Sequence, residues 1–347
     1  MRRFNYLKLI ELPLPVKIHS IIAKIHEYKG KQEIYAENHP DVLTKMTAVA
    51  KIQSTRSSNA IEGIYTNETR LKELMNNKAE PRKRDEEEIV GYRRVLDLVH
   101  DNYLHIEFNK SNILTLHNQL YSYSFNRHKG NFKTIDNSIV EVDSNGNKKV
   151  RFQPVSSFET ERYFDEMIKA YNEALKEGVP PLLLIPTVIH DFLCIHPFDD
   201  GNGRMSRILT LLLLYNADYF VGKYISIEML IEESKDTYYE TLQKSSENWH
   251  TGENNELPFI EYMLGIILKA YQECEDRFKL IAKNRLTSQE RVLQVFKKTF
   301  KPLAKSDILI LLPALSQRTV ERALKELQDN LKIKKIGSGR STKYIGI

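Results

Sequence analysis

The run His196-Pro197-Phe198-Asp199-Asp200-Gly201-Asn202-Gly203-Arg204-Met205-Ser206-Arg207 decides how this chain is read. It holds an imidazole, carboxylates, glycines, an amide and guanidinium groups in one short stretch. Leu182 to Ile195 before it and Gly203 to Tyr215 after it have helical character, so the run is a tight turn between two helices. The first amides of the second helix lack internal partners and sit at the positive end of its dipole, which makes an anion site. Gly201 and Gly203 let backbone approach phosphate oxygens. Arg204 and Arg207 reach a phosphate chain from one helix face. Asp200 suits a Mg²⁺ ion shared with phosphates. His196, neutral over much of physiological pH, accepts a proton from an incoming hydroxyl. Phe198 packs and fixes the loop. Each residue alone has a plainer reading, such as a helix-end histidine or a surface ion pair. Their concentration in one loop favours a polyphosphate site beside a base.

These residues resemble the motif of the Fic family, H-x-F-x-D/E-G-N-G-R-x-x-R. The match holds at His196, Phe198, Asp200, Gly201, Asn202, Gly203, Arg204 and Arg207. The resemblance implies a protein adenylyltransferase that moves AMP from ATP to a Ser, Thr or Tyr hydroxyl of a target protein, or of itself. It implies His196 as the catalytic base and Asp200 as the ligand of Mg²⁺, with Mn²⁺ as the alternative. The ATP site implied is Asp200, Gly201, Asn202, Gly203, Arg204, Met205, Ser206 and Arg207. Asn202 and the Gly201–Gly203 amides would bind α- and β-phosphate oxygens, with Arg204 and Arg207 on the phosphate tail. Gly203 argues against the family's phosphotransferase branch, which carries lysine there.

Between Ser138 and Phe152, polar and apolar residues alternate around Asn145-Gly146, which is a hairpin signal. A lone hairpin in helical surroundings does not stabilise itself, so it is expected as a flap. The resemblance implies that such a flap lines up the target segment by strand addition, and it adds Val150 and Arg151 to the ATP site. Gly130-Asn131-Phe132-Lys133 precedes the hairpin, where family members carry Gly-x-Phe/Tyr-Arg. Tyr238, Tyr239 and Ser246 resemble the family's purine-side positions. Ordinary core packing is the other reading of the tyrosine pair.

Upstream, Ser58-Asn59-Ala60-Ile61-Glu62-Gly63 resembles the family's inhibitory motif, S/T-x-x-x-E-G/N. The resemblance implies that Glu62 pairs with Arg207 and keeps the γ-phosphate from docking, with Ser58 and Gly63 completing the inhibitory motif. A carboxylate on a phosphate-binding guanidinium competes directly with phosphate. The plainer reading is a helix N-cap with a surface glutamate.

The fold expected is mainly α. Residues 1–84 form a helical region with the inhibitory helix, 85–284 a Fic catalytic core with the hairpin flap, and 285–347 a winged helix-turn-helix domain. In the N-terminal region, Leu12-Pro13-Leu14-Pro15 reads as extended, and helices are expected over Ile18–Tyr35 and Val42–Ile61. A charged connector at 79–88 leads into a helix through Ile89, Tyr92 and Leu98. Phe158–Leu175 is expected as another helix. In the tail, helices are expected over Ser288–Phe296 and Ser306–Leu312, with a third N-capped by Ser316. Two short strands then flank Gly337-Ser338-Gly339.

The chain of 347 residues is 41% hydrophobic and 28% charged, which is ordinary for a soluble globular protein. Its longest apolar run, near Leu209–Tyr215, is too short for a bilayer, and the N-terminus shows no signal-peptide pattern. Cys194 and Cys274 imply neither zinc nor a disulfide framework and fit a cytoplasmic protein. The net charge of +5 divides unevenly: residues 285–347 hold 14 Lys and Arg against 5 Asp and Glu, leaving the rest slightly acidic. Gln317, Arg318, Arg322 and Lys325 fall on the expected recognition helix, and Lys332, Lys334, Lys335, Arg340 and Lys343 on or near the wing. DNA contact is one reading and a protein-docking module the other. The competing functions are a DNA-binding transcriptional regulator whose Fic core senses nucleotide, or an enzyme that removes AMP with a Glu62-activated water.

Overall fold

The computed structural model describes residues 2–38, 40–124, 129–142, 148–282, 287–299, 301–313 and 315–346. The chain is mainly helical with two small antiparallel sheets. A short α1 (Lys8–Glu11) and the extended Pro13–Pro15 segment precede α2 (Val16–Asn38) and α3 (Pro40–Ile61). Then come α4 (Glu68–Met75), α5 (Arg84–Asn102) and α6 (Lys110–Leu120). Strands β1 (Ile139–Val142) and β2 (Lys148–Phe152) pair antiparallel with Ile139 opposite Phe152. The expected turn at Asn145-Gly146 lies outside the described residues.

The centre of the molecule is α8 (Pro181–Ile195), whose side chains from Leu182 to Ile195 are all buried. It packs between α7 (Ser157–Lys176), α9 (Asn202–Asn216) and α12 (Leu257–Ala282). A helix that is apolar all round belongs in a core. Every residue of α9 from Arg204 to Tyr215 is buried as well. Helices α10 (Ile227–Glu233) and α11 (Lys235–Ser246) close the side facing α3 and α12. One apolar cluster runs from Tyr6 and Ile18 through Met46 and Ile61 to Phe192, Leu209 and Phe278. The cluster draws on residues on both sides of position 84, the expected boundary.

The tail builds its own apolar cluster from α13 (Ser288–Lys298), α14 (Lys305–Leu311), α15 (Gln317–Asp329) and β3 (Ile333–Ile336), joined by Leu280 of α12. Strand β4 (Lys343–Gly346) pairs antiparallel with β3, and Tyr344 bridges to Leu303. The Thr287 hydroxyl and the Glu290 carboxylate form a capping box on α13, and Ser316 caps α15 through the Thr319 amide. Three helices followed by a two-stranded sheet is the order expected for 285–347. Among the described residues, no helix is long and apolar enough to cross a membrane.

A buried polar cluster locks the N-terminal segment onto α8. The carboxylate of Asp191, fully buried, accepts from Arg2 at 2.6 Å, Tyr6 at 2.8 Å and Trp249 at 2.7 Å. A buried carboxylate needs this many donors to offset its lost hydration. Asp191→Ala removes the direct carboxylate partner of Arg2 and leaves Glu256 at 3.7 Å, and we expect it to cost about 3 kcal/mol in stability, read by denaturant unfolding.

Candidate functional site

The turn between α8 and α9 is set by two left-handed residues. His196 ends α8 at φ 52° and Gly201 precedes α9 at φ 85°. A side chain at Gly201 would also meet the Tyr121 hydroxyl at 2.9 Å. Phe198 is fully buried and stacks on His117 of α6, with ring centroids 3.7 Å apart. His117 accepts from the Gly130 amide and, through its other nitrogen, meets the Asp200 carbonyl at 3.1 Å. The loop is therefore held from outside before any ligand arrives.

His196 Nδ1 lies 3.2 Å from the Leu193 carbonyl. A carbonyl only accepts, so Nδ1 carries the proton and Nε2 keeps the lone pair needed by a base. Burial lowers the pKa of His196 to about 4. His196 lines a cavity of about 840 Å³ together with Gly203, Arg207, Arg151, Tyr238, Tyr239, Ser246 and Glu62. That volume lies in the range of nucleotide-sized pockets. Tyr238 is buried against Phe259 and Tyr262 while also lining this cavity, so both readings of it apply. The Ser246 hydroxyl meets His190 at 3.1 Å.

Across the cavity stands the end of α3. Arg207 Nε donates to the Ser58 hydroxyl, and Nη2 to the Ser58 carbonyl and the Glu62 carboxylate at 2.8 and 2.7 Å. The N-cap reading of Ser58 is thus overturned: Ser58 lies near the C-terminal end of α3 and is fully buried. Gly63 stops the helix. With φ at 80° its amide bonds to Ala60 and the next amide, Ile64, bonds to Asn59. This is the left-handed glycine stop common at helix ends. Nothing lies within 4 Å of where its β-carbon would be, so the need is conformational.

Several expected phosphate contacts fall elsewhere. Arg204 is 1% exposed and turns to Glu88 at 2.8 Å and the Tyr121 hydroxyl at 2.8 Å, away from the cavity. The Asn202 side chain holds the Phe198 backbone at both ends, accepting its amide at 2.9 Å and donating to its carbonyl at 2.7 Å. What Asn202 offers an anion is its own amide at the start of α9. Met205 is buried in the apolar core, and the Ser206 hydroxyl donates to the Gly203 carbonyl. Val150 is 55% exposed and does not line the cavity. A β-carbon on Gly203 would collide with the Glu62 carboxylate, so the glycine makes room for that side chain as well as for an anion.

Asp200 stands apart from the cavity lining, its side chain 48% exposed. One carboxylate oxygen accepts from the Gly201 amide at 2.7 Å and the other faces Arg84 at 3.5 Å. Among the described residues no group of three or more His, Cys, Asp or Glu side chains is placed to hold a metal alone. A single accessible carboxylate fits Mg²⁺, which takes most of its remaining ligands from phosphate and water.

Sequence reading noted Lys133 without giving it a role and missed Lys235. Lys133 is 3% exposed and donates to the Ile195 carbonyl and to Asn137 at the foot of β1, so it ties the flap to the end of α8. Burial lowers its pKa to about 8. Lys235 lines the cavity and donates to the Ile61 carbonyl at 2.7 Å. The only signal in sequence was a lysine in the first turn of a helix, where a cation is disfavoured.

Residues 107–214 match the Fic/DOC family model. The chain is 36% identical over 55 residues to the protein adenylyltransferase and cysteine protease IbpA of Histophilus somni, covering 16% of this chain and 1% of that protein. It is 32% identical over 72 residues to a Fido domain-containing protein of Dictyostelium discoideum, covering 21% of this chain and 46% of that one. The chain therefore spans less than half the length of either relative. A Fic family protein from Desulfovibrio desulfuricans superposes with a TM-score of 0.64 at 18% identity over 97% of both chains. A Fic domain containing signaling protein from Bacteroides thetaiotaomicron superposes at 0.60 and 20% identity, over 76% of this chain and 97% of that one. These structural likenesses show the fold.

Burial also lowers His117 and His190 to about 4 and His100 to about 3. The unfolded chain titrates its histidines near pH 6.5 and so binds more protons than the folded chain between there and about pH 4. We expect the stability held by neutral His100, His117, His190 and His196 to be complete above pH 6.5. It should be lost as pH falls through that window, and melting temperatures at pH 7, 6 and 5 would show the fall.

Proposed function

Since the chain is a member of the Fic/DOC family, we propose that it is a protein adenylyltransferase using ATP, held in check by Glu62. The observation that carries this reading is the Glu62–Arg207 ion pair inside the cavity that His196 also lines. The base, the anion-binding helix start and a removable carboxylate meet in one place.

In this reading the α- and β-phosphates sit on the first amides of α9, and Arg207 takes the phosphate tail once Glu62 leaves. His196 Nε2 takes the proton of a Ser, Thr or Tyr hydroxyl as that oxygen attacks the α-phosphorus and pyrophosphate departs. The rate gain comes from positioning and from fixed donors on developing charge. Asp200 would hold Mg²⁺, which supplies charge neutralisation on the phosphates when bound. Strand β1 would receive the target segment, with Tyr238, Tyr239 and Ser246 on the purine side of the nucleotide.

The tail supports a DNA partner. Arg318, Arg322 and Lys325 of α15 are exposed, as are Lys332, Lys334, Lys335 and Lys343 around the sheet. The two elements that meet DNA in winged-helix folds thus carry exposed cations.

Two tests follow from these readings. With ATP labelled at the α-phosphate, we expect Glu62→Gly to raise incorporation roughly tenfold to a hundredfold, the worth of one charge-assisted hydrogen bond. His196→Ala should abolish incorporation with ATP still bound. Equal labelling of Glu62→Gly and wild type would remove the brake, and transfer by His196→Ala would reassign the base. For the tail, the full chain should bind a short DNA duplex with an affinity that falls steeply with salt. Lys334→Glu with Lys335→Glu should flatten that slope by about two, as titrated by fluorescence anisotropy. Binding indifferent to salt would leave the protein-docking reading.

A further inference from the structure

Lys235 is the first residue of α11. A cation there opposes the positive end of that helix's own dipole, so its position is explained by a partner elsewhere. The partner is the carbonyl of Ile61, at 2.7 Å. Ile61 is the last residue of α3, whose final carbonyls have no partner within the helix and lie at the negative end of its dipole. Glu62 follows directly, and both Lys235 and Glu62 line the cavity. The Lys235 ammonium also stands 5.9 Å from the centre of the Tyr239 ring, and Arg151 of the flap stands 4.9 Å from the same ring.

We infer that Lys235 is a positioning residue for the inhibitory glutamate: it ties the end of α3 to the wall of the cavity and so keeps Glu62 on Arg207. This rests on the reading of Glu62 as a brake. Ser58 fixes α3 to Arg207 one turn earlier, and Gly63 fixes where the helix stops. Neither holds the Ile61 carbonyl. Lys235 supplies a charged donor there, and losing it returns that carbonyl to water and loosens the last turn. The side chain acts through Glu62 rather than on the nucleotide.

The test uses the full chain as wild type, Lys235→Met, Lys235→Arg, Glu62→Gly and the double variant Lys235→Met with Glu62→Gly. Hydrogen exchange without nucleotide reads the latch directly. The amides of Glu62, Gly63 and Ile64 bond to Asn59 and Ala60 at 3.0 Å. They should exchange roughly tenfold faster in Lys235→Met, near wild type in Lys235→Arg, with α8 unchanged. Incorporation from labelled ATP should rise in Lys235→Met and show no further gain when that change is added to Glu62→Gly. Unchanged exchange at 62–64 overturns the inference, as does faster exchange in α8 too. Lower incorporation by the double variant than by Glu62→Gly also overturns it, because Lys235 would then act on the nucleotide. If Glu62→Gly itself transfers nothing, the transferase reading falls, and the exchange result still decides whether Lys235 holds α3.

Discussion

A buried guanidinium must be paired, and the pairing of Arg207 organises the molecule. It is 3% exposed, and among the described residues its acceptors are the Ser58 hydroxyl and carbonyl in the last turn of α3 and Glu62 just after it. Leaving such a charge without acceptors would cost several kcal/mol. So α3 has to end where it does. The same face of α3 is pinned by a second buried charge: Glu228 accepts from Ser54 at 2.7 Å and from Tyr92 at 2.9 Å. The Glu62–Arg207 contact is thus part of how the fold accommodates charge in its interior. Two of the three acceptors on Arg207 belong to Ser58 and survive removal of Glu62. A phosphate oxygen can then take the third place without leaving the guanidinium stranded.

Arg204 and Arg207 show how one short motif serves two ends. They lie three apart on α9, and both are buried. Arg204 pairs with Glu88 of α5 and lies over the Tyr121 ring, so it braces the back of the turn. Arg207 faces the cavity. The loop then needs no ligand to keep its shape, since Asn202 and His117 hold the Phe198 side of it. A site whose backbone is fixed beforehand loses less order when an anion binds.

Much of this was legible in sequence wherever the signal was local. His196, Gly201 and Gly203 marked the break between α8 and α9. The alternation at 138–152 marked the flap strands, and Ser316 marked the start of α15. The bounds of α2 and α3 came out within a few residues because their apolar spacing is regular. What sequence spacing hid were partnerships across long separations. Glu88 is the reason Arg204 turns away, and Ile61 is the reason Lys235 sits where it does. Neither pairing leaves a local pattern. Helix spacing alone put both arginines on one ligand, because residues three apart share a face of the helix. Burial and partners then sent their long side chains to different places. The Asn202 side chain shows the same limit of local reading: an amide four residues from Phe198 closes on its own loop here.

The chemistry of the cavity is assembled largely from helix ends. The C-terminal carbonyls of α8 accept two hydrogen bonds: Leu193 from His196 Nδ1, and Ile195 from Lys133. The first leaves His196 Nε2 with its lone pair, and the second fixes the foot of the hairpin. The last carbonyl of α3 takes Lys235, beside Glu62 in the cavity wall. The first amides of α9 are left for an anion. Each of these backbone groups is one that a helix cannot satisfy internally. Three helix ends converging on one cavity turn that deficit into oriented donors and acceptors. Their positions follow from the packing of buried helices, which is why a loop of ordinary residues holds its geometry.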